Sequence, residues 1–527
     1  MKKILFIINK TSDEKYKECI EAINALKRPL LYSLKFASYA AGDVFTTSDA
    51  YLALYEKENP DISIIMDDTT LLVNENLLRD IVKFFKAEPS VRLIGAKGAK
   101  QLPDSGIIDE ADNIYGGLYE MNPKGEVFEK KYNNSQAKFV EVETVSSTMV
   151  AIKGYIPIWR GIGNRYIGEI LSVATAIHGY KVVIPKNSNS WCFATLSESK
   201  PTAAELKVIK DKYTFKNILF DKNQCILTIG IPTFNRSRYF RKCISNLYKH
   251  VGDMPWVEIF VSNNASTDET EEIASQYFQH KNFRYYKQPV NIGGDINFGY
   301  LYENAKGNFI VACGDDDYYS AEAIFNLLEA ICLYPESTLI ELEWPSEHTS
   351  SAILPGNGID EFLVKCTNLY TCISCIVLNQ KKYMAIEVKD RFSHTQLNQC
   401  YVQLEMVRKD PQFLILRGDN FLLGSGEAAA GRKFKENERG PFCDIFVREY
   451  YPILDYFLDK GLSREAYEEE KLINLNKVLS WLNIIKKADD TIQWIIDEDI
   501  YELIEEFYGY EPYYEDLKEK IDSILAS

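Results

Sequence analysis

The sequence predicts an α/β protein of two tandem modules, each built on a mostly parallel sheet, followed by a helical C-terminal region. Apolar strands alternate with amphipathic helices in both halves of the chain, a pattern typical of parallel sheets. In each half, one such strand ends in adjacent aspartates. After about Phe442 the sequence becomes acidic and aromatic with a helical period, which indicates helices packed on the second module.

The length of 527 residues exceeds one ordinary hydrophobic core and fits several domains. We place the first module at residues 1–210, the second at residues 224–442 and the helical region at residues 443–527. The boundary between the modules falls in a polar stretch followed by a lysine-rich helical segment.

Composition and charge restrict the class of protein. A content of 46% hydrophobic and 26% charged residues is ordinary for a soluble globular protein, and no apolar run reaches membrane-spanning length. A net charge of −16 argues against nucleic acid and against an anionic membrane surface as general partners. The eleven cysteines show no disulfide framework, as expected for reduced thiols. We therefore expect a cytoplasmic location, with peripheral attachment to a membrane and homo-oligomer formation left open.

The first module opens with an apolar segment at residues 3–8. We interpret it as a strand rather than a signal peptide, because polar residues end it early and no cleavage site follows. A helix near residues 14–26 comes next, and an apolar strand at residues 62–66 then leads to Asp67 and Asp68. This is the strand-helix-strand order of a parallel sheet.

The second module repeats this order with one more strand-helix unit. Its predicted elements are strands at residues 226–231, 257–261 and 309–313 and a helix at residues 238–248. The last strand leads to Asp315, Asp316 and Asp317. Adjacent carboxylates repel one another unless a cation lies among them, and their hard oxygen atoms suit Mg²⁺ or Mn²⁺ carrying a diphosphate. A solvated acidic turn is the alternative.

Polar segments also follow the other strands of this module. Pro-Thr-Phe-Asn-Arg occupies residues 232–236, and Asn-Ile-Gly occupies residues 291–293. Asn263 carries an amide that can pair with the Watson-Crick edge of a pyrimidine, while Ser266 and Asp268 are typical helix caps. Taken singly such turns are ordinary structural features, so the inference depends on their order along the chain.

The order and spacing of these segments resemble the nucleotide-binding half of glycosyltransferase family 2, whose inverting enzymes have the Rossmann-like GT-A fold. The resemblance implies a nucleotide-diphosphate sugar as donor, with a UDP-sugar expected, although Asn263 stands where the family usually has an aspartate that contacts uracil. The residues that the resemblance assigns to the nucleotide sugar are Pro232, Thr233, Asn235, Arg236, Asn263, Asn291, Gly293, Asn297, Asp315 and Asp316.

The resemblance also implies a divalent metal, Mn²⁺ or Mg²⁺, between an aspartate and the diphosphate. We expect Asp317 to be the ligand, with Asp316 as second choice, because the Asp-x-Asp motif fits this sequence in two registers. Further on, the small-residue segment 424–433 ends in Arg432 and Lys433, which would offset leaving-group charge if the segment closes over the diphosphate. An ordinary surface loop is the alternative.

An inverting transfer needs a general base that removes the proton from the acceptor hydroxyl. Family members usually supply a carboxylate at the start of a helix beyond a strand, which corresponds here to residues 390–397 after a strand at residues 371–378. We expect His394 to be the base, since imidazoles titrate near neutral pH, and Asp390 to be the second candidate. His394 could instead cap the helix or ligate the metal.

The first module resembles a streptococcal-type branch of the same family, through Asp67 and Asp68 and through Gly-Tyr-Lys-Val-Val-Ile-Pro at residues 179–185. Where such enzymes present an aromatic-His-x-x-Asp run, this chain has Asn-Arg-Tyr-Ile-Gly-Glu at residues 164–169. We therefore expect a module that kept the fold and lost catalysis, and that binds the acceptor, pairs with another subunit or stabilises the second module. A retained metal at Asp67 and Asp68, with Glu169 as base, is the alternative.

The leading hypothesis is a metal-dependent, inverting glycosyltransferase that transfers a sugar from a UDP-sugar to a glycan or glycoprotein acceptor, in bacterial surface-glycan or adhesin glycosylation. The competing hypotheses are a bifunctional enzyme with two active modules and a non-catalytic sugar-nucleotide-binding scaffold. The base distinguishes enzyme from scaffold, because binding needs the aspartates whereas turnover also needs a base beside them.

Overall fold

A computed structural model of the chain describes residues 2–40, 46–121, 124–133, 137–186, 190–194, 202–222, 224–343, 352–366, 371–418, 422–423, 440–488 and 492–526. The chain divides into two compact units, Met1–Asp221 with Lys249–Met254 and Lys222–Tyr248 with Pro255–Ser527. Each unit has its own sheets and its own buried apolar cluster. Within the described ranges, no helix is long and apolar enough to cross a lipid bilayer.

The first unit alternates strands and helices through its first half. Its strands are β1 (Lys2–Asn9), β2 (Tyr32–Tyr39), β3 (Ile62–Asp67), β4 (Thr70–Leu72), β5 (Val91–Gly95), β6 (Lys97–Ala99), β7 (Ile114–Met121), β8 (Val127–Lys131), β9 (Phe139–Glu141), β10 (Thr144–Val145), β11 (Met149–Lys153), β12 (Lys181–Pro185) and β13 (Cys192–Ala194). Its helices are α1 (Asp13–Asn24), α2 (Thr47–Glu58), α3 (Leu77–Ala87), α4 (Ile167–Ile177) and α5 (Ala203–Lys222).

The main sheet of the first unit has the order β2-β1-β3-β11-β5-β12-β9. Strand β1 lies between β2 and β3 and is parallel to both, and β5 is parallel to β12. All residues from Ile4 to Ile8 are buried, as expected for a strand covered on both faces. Helix α3 contributes apolar side chains at helical spacing, with Leu78, Ile81 and Phe85 buried in the same cluster.

The second unit begins with another strand-helix alternation. Its strands are β14 (Leu227–Thr233), β15 (Val257–Asn263), β16 (Phe283–Lys287), β17 (Phe309–Ala312), β18 (Tyr318–Tyr319), β19 (Leu339–Leu342), β20 (Ala352–Asn357), β21 (Ile376–Asn379), β22 (Gln412–Arg417), β23 (Leu422–Leu423), β24 (Gly440–Pro441) and β25 (Trp494–Ile495). Its helices are α6 (Ser237–Val251), α7 (Thr270–Ser275), α8 (Gly294–Asn304), α9 (Ala321–Leu333), α10 (Ile359–Cys366), α11 (Gln380–Met384), α12 (Asn398–Lys409), α13 (Tyr451–Leu458), α14 (Arg464–Ala488), α15 (Ile500–Tyr508) and α16 (Tyr514–Ala526).

The main sheet of the second unit has the order β16-β15-β14-β17-β21-β19-β22-β20. The first four strands are parallel neighbours, and β21 runs antiparallel between β17 and β19. Helices α13 to α16 share one buried apolar cluster with this unit, in which the ring of Trp481 stacks on Phe442 at 5.5 Å. The predicted α/β class, with mostly parallel sheets and a helical C-terminal part, is confirmed.

One element differs from the sequence prediction. The strand expected at residues 371–378 is a 3₁₀ turn at Ile373–Cys375, and the strand begins only at Ile376. The polar groups of Ser374 are satisfied outside a strand ladder, since its carbonyl accepts from the Tyr319 hydroxyl at 2.7 Å and its hydroxyl accepts from the backbone N–H of Gly314 at 2.9 Å. The segment therefore turns towards the end of β17.

Candidate functional site

The candidate site lies at the carboxyl edge of three neighbouring parallel strands in the second unit. Strand β14 ends at Thr233, and its register partner on β15 is Asn263. Strand β17, on the other side of β14, leads to Asp315. Open α/β sheets bind their ligands in the crevice outside the carboxyl ends of the strands.

Asp315 is the most enclosed carboxylate of this edge, with 5% of its surface exposed. The Thr233 hydroxyl donates to its Oδ2 at 2.8 Å, and Nε of Arg236 lies 2.8 Å from its Oδ1. Burial raises the pKa of Asp315 to about 6, although Arg236 and Thr233 act in the opposite direction. The contact with Arg236 therefore offsets part of the rise in pKa that burial causes at this carboxyl group.

Arg236 contacts a second carboxylate, because its guanidinium lies 2.9 Å from Oδ2 of Asp316. Its side chain remains 38% exposed. One guanidinium at the mouth of the site thus compensates two carboxylates and also faces solvent. An anionic ligand such as a diphosphate can reach the same cation.

Asp317 is held by a residue that is distant in the sequence. The hydroxyl of Ser374 donates to its Oδ2 at 2.5 Å and accepts from the backbone N–H of Gly314 at 2.9 Å. Among the described residues, no group of three or more His, Cys, Asp or Glu side chains is assembled around a common metal position. Carboxylate oxygens nevertheless fit Mg²⁺ or Mn²⁺, since such ions bind through one or two carboxylates together with phosphate oxygens and water.

Asn263 is buried, and both ends of its amide have protein partners. Its Oδ1 accepts from the backbone N–H of Ser266 at 2.8 Å, and its Nδ2 donates to the Tyr285 hydroxyl at 2.8 Å. Asn297 is buried as well and exchanges hydrogen bonds with Ser262 at 2.6 and 3.1 Å. In this arrangement the two amides fix the shape of the edge, and their contact with a base or ribose stays a prediction.

The Asn-Ile-Gly turn is fixed by a residue that the sequence analysis did not single out. Asn264 donates to Oδ1 of Asn291 at 2.8 Å and accepts from the backbone N–H of Ile292 at 2.9 Å. Gly293 has φ +87°, a conformation that favours glycine, and is exposed at the start of α8. The pair of adjacent asparagines at the end of β15, Asn263 and Asn264, was the available signal for Asn264.

Pro232 is the penultimate residue of β14, and Asn235 lies in the turn that follows the strand. Asn235 has φ +52°, and its Oδ1 accepts from the backbone N–H of Thr267 at 2.8 Å. Its own backbone N–H donates to the Ser266 hydroxyl at 2.9 Å. These bonds join the ends of β14 and β15, while Pro232 stays half-buried.

A cavity of about 580 Å³ lies between α8, β21 and α12. Its lining includes the aromatic rings of Phe298, Tyr300, Tyr302 and Tyr383 and the carboxylates of Asp295, Glu303, Glu387 and Asp390. Ile373 also lines it, and the next residue, Ser374, bonds to Asp317. The cavity therefore adjoins the aspartate cluster.

The two candidate bases occupy different positions. Asp390 and Ser393 line the cavity. His394 does not belong to the lining: it is exposed, and its ring stacks on Phe392 at 5.9 Å. Of the two candidate bases, Asp390 thus faces the cavity and His394 does not. Arg432 and Lys433 lie outside the described residues.

The corresponding strand end in the first unit is organised differently. Asp68 is buried and accepts from the backbone N–H and the hydroxyl of Thr11, both at 2.7 Å, and from the backbone N–H of Ser12 at 3.2 Å. Asp67 accepts from Asn9 at 2.6 Å, and burial raises its pKa. Glu169 is buried and accepts from the Ser147 hydroxyl at 2.9 Å. The carboxylate of Asp68 thus fixes the loop between β1 and α1.

Two family models match the chain in tandem. Residues 5–215 match the model described as "Glycosyltransferase like family", and residues 228–381 match "Glycosyl transferase family 2". The second match contains β14, β15 and β17 and the three aspartates that follow them.

Several curated proteins are similar to parts of the chain. The uncharacterized glycosyltransferase MG025 homolog of Mycoplasma pneumoniae is 32% identical over 100 residues, which are 19% of this chain and 33% of that protein. The abequosyltransferase RfbV of Salmonella typhimurium is 23% identical over 224 residues, 37% of this chain and 67% of that protein. The chain thus spans about a third of the length of the first relative and two thirds of the second.

The poly(ribitol-phosphate) beta-N-acetylglucosaminyltransferase TarS of Staphylococcus aureus is 26% identical over 290 residues, 51% of this chain and 48% of that protein. The crystal structure of its residues 1–349 in complex with UDP-GlcNAc aligns with a TM-score of 0.39 at 15% identity, over 57% of this chain and 89% of that chain.

Proposed function

We propose that this chain, a glycosyltransferase of family 2 with two such domains in tandem, uses its second domain to transfer a sugar from a UDP-sugar to a glycan or glycoprotein acceptor. One observation carries the proposal: the three aspartates after β17 lie with Arg236 and Thr233 at the carboxyl edge of the sheet, and a cavity that contains Asp390 adjoins them. The Asp317–Ser374 contact would then lie between the donor site at the strand ends and the acceptor site in the cavity.

The donor is proposed to lie over the ends of β14, β15 and β17. The Arg236 guanidinium would bind the diphosphate. The exposed turn at Gly293 has no side chain that would keep the donor away from the backbone. Asp315 is proposed to accept a hydrogen bond from a ribose hydroxyl of the donor. The preference for UDP rests on the family resemblance and on the name of the relative TarS, an N-acetylglucosaminyltransferase.

Family 2 enzymes typically use a divalent metal, and we propose Asp317 and then Asp316 as the residues that would hold Mn²⁺ or Mg²⁺ here. Such an ion supplies stabilisation of the charge that develops on the leaving diphosphate. The role of Ser374 is to orient the Asp317 carboxylate, since its hydroxyl also fixes the backbone of Gly314.

The acceptor is proposed to enter the cavity between α8 and α12, with Asp390 as the base that removes its hydroxyl proton. Phe298 and Tyr300, which are half-buried, provide the apolar ring faces against which sugars pack. Lys389 is compensated by Glu303 at 3.9 Å. Within the described part of the chain, Asp295, Glu387 and Asp390 have no cation within ion-pair distance, so a neutral glycan suits the cavity better than a phosphate polymer. Asp295 lies on α8, whereas Glu387 and Asp390 lie in the segment before α12.

The first domain is proposed to be non-catalytic. Both carboxylate oxygens of its Asp68 accept hydrogen bonds from Thr11 and Ser12. Asp68 is therefore a less suitable metal ligand than the aspartates at the strand end of the second domain. Bacterial surface-glycan or adhesin glycosylation in the cytoplasm is proposed from the family resemblance, and the names of RfbV, an abequosyltransferase, and TarS, a poly(ribitol-phosphate) beta-N-acetylglucosaminyltransferase, support sugar transfer as the reaction.

The proposal is tested by a donor-turnover screen on the full chain. UDP release is measured over a panel of UDP-sugars with Mn²⁺ or with EDTA, first without acceptor and then with neutral and phosphorylated oligosaccharides. We expect one UDP-sugar to be turned over, loss of turnover in EDTA, and a higher rate with the neutral acceptor. Absence of turnover with every donor, together with no UDP binding in calorimetry, would reject the donor assignment.

A further inference from the structure

An exposed apolar turn interrupts the surface of the first unit between α1 and β2. Leu30 is 86% exposed and Leu31 is 73% exposed. The turn is closed by a hydrogen bond from the backbone N–H of Tyr32 to the carbonyl of Pro29 at 3.3 Å, and the backbone N–H of Lys2 donates to the carbonyl of Leu31 at 3.0 Å. Both leucine side chains therefore project from a turn that is fixed at its base.

The backbone at this turn is unusual for its residue type. Leu31 has φ +69°, a left-handed conformation that is uncommon outside glycine, asparagine and aspartate. Pro29 is buried and restricts the chain just before the turn. A bulky apolar residue is thus kept in a strained conformation in which most of its surface faces solvent, and exposed apolar groups of this kind commonly mark an interaction site.

Cations surround the two leucines. Arg28, Arg79, Lys83 and Lys86 are exposed and line one groove together with Leu30 and Leu31. We call the four cations and two leucines the Leu30 patch. Nε of Arg79 donates to the carbonyl of Arg28 at 3.2 Å, which joins the helix α3 side of the patch to the turn.

The cations of the patch form no close ion pairs, and only Glu75 near Arg79 and Asp80 near Lys83 offset part of their charge among the described residues. In the ranges that the structure describes, none of the four cations has a carboxylate within ion-pair distance, and the nearby Glu75 is already paired with Lys27. Asp80 is the acidic residue on the same exposed side of α3. The chain as a whole carries a net charge of −16, so a cationic surface with protruding apolar side chains stands out from the rest of the molecule.

We propose that the Leu30 patch is a docking site for an anionic lipid bilayer. The leucines would enter the headgroup region, where their apolar surface leaves water, while the arginines and lysines would stay at the level of the lipid phosphates. Anionic lipid is the occupant that satisfies both features, since the apolar tip alone would suit a protein partner and the cations alone would suit any soluble anion.

The test uses sedimentation of the full chain with phosphatidylcholine vesicles that contain no anionic lipid or about 30% phosphatidylglycerol. We expect binding to the anionic vesicles, and a marked loss at high salt because the cations act through screened charges. Leu30→Ser with Leu31→Ser should reduce the partition coefficient at least about ten-fold, and each Arg or Lys to Gln change in the patch should reduce it about five-fold.

The matched control is Val127→Ser with Phe128→Ser, which removes another exposed apolar pair from the first unit and should leave vesicle binding unchanged. Circular dichroism melting checks that all variants fold. Failure of the wild type to bind anionic vesicles, or equal loss in the control, would overturn the proposal. So would analytical ultracentrifugation that detects a dimer lost in the Leu30→Ser, Leu31→Ser variant without any vesicle binding, because the patch would then be an interface between copies.

Discussion

Nε of Arg236 lies 2.8 Å from Oδ1 of Asp315, and the same guanidinium reaches Asp316 at 2.9 Å. The two residues come from different strand ends, since Arg236 follows β14 and Asp315 follows β17. The contact places a protein cation directly beside the aspartate cluster. A diphosphate with its metal would share this arginine with the two carboxylates.

Arg236→Ala should weaken UDP binding, because the diphosphate loses its guanidinium and Asp315 remains buried without its cation. We expect the dissociation constant for UDP to rise about ten-fold or more. Calorimetric titration of UDP with Mn²⁺ measures it. Arg238→Ala, an exposed arginine two positions away, is the control and should bind UDP as the wild type does. Unchanged affinity in Arg236→Ala would remove Arg236 from the donor site.

Asp390→Asn should slow transfer to an acceptor far more than it weakens donor binding. We expect kcat to fall about 100-fold or more with little change in the UDP-sugar KM, because a base acts on the acceptor proton. His394→Ala should change kcat by less than about five-fold, since the imidazole is exposed outside the cavity lining. The reverse order of the two effects would restore His394 as the base.

Glu341 on β19 should make the stability of the second unit depend on pH. It is fully buried, and neither carboxylate oxygen has a hydrogen-bond partner among the described residues. Burial raises its pKa well above the ordinary value. Because the folded-state pKa lies above the unfolded-state value, the carboxyl group favours folding while it is protonated, and this contribution is lost as pH rises through the folded-state pKa.

Glu341→Gln should therefore match the wild type below the unfolded-state pKa of a glutamate and become the more stable protein as the pH rises above it. Urea unfolding at acidic and at mildly alkaline pH measures the difference. Glu336→Gln changes an exposed glutamate of the preceding segment and should show no such trend. A pH-independent difference between Glu341→Gln and wild type would contradict this account of the buried carboxyl.

Asp68→Ala should destabilise the first unit. The substitution removes the acceptor of three hydrogen bonds, so that the backbone N–H groups of Thr11 and Ser12 lose their partner. We expect the free energy of unfolding to fall by about 2 kcal/mol. Asp112→Ala alters an exposed aspartate of the same unit and is the control. A variant as stable as wild type that has lost Mn²⁺ binding would instead assign Asp68 to a metal site.

The sequence was sufficient for the parts of this protein that depend on local pattern. Apolar runs such as residues 3–8 and 309–313 identified the buried strands, because strands covered on both faces are continuously apolar. The parallel order then implied that Thr233, Asn263 and Asp315 lie at one edge, as the register now shows for β14 with β15 and β17.

Contacts between segments that are distant along the chain could not be predicted from the sequence. Ser374 reaches Asp317 only because residues 373–375 form a 3₁₀ turn instead of continuing a strand, and a single serine gives no pattern for that. The relative positions of Asp390 and His394 depend on the packing of the segment before α12. Asp67 and Asp68 look like a second metal motif in sequence, whereas the bonds from Thr11 give Asp68 a local role in the loop.

The central claim is that the second domain is the catalytic one, and paired aspartate variants test it most directly. Initial rates of UDP release from the preferred UDP-sugar are compared for wild type, Asp317→Asn and Asp67→Asn in the presence of Mn²⁺. We predict that Asp317→Asn loses activity about 100-fold or more, while Asp67→Asn stays within about three-fold of wild type. Full activity in Asp317→Asn together with loss in Asp67→Asn would contradict the claim and assign catalysis to the first domain.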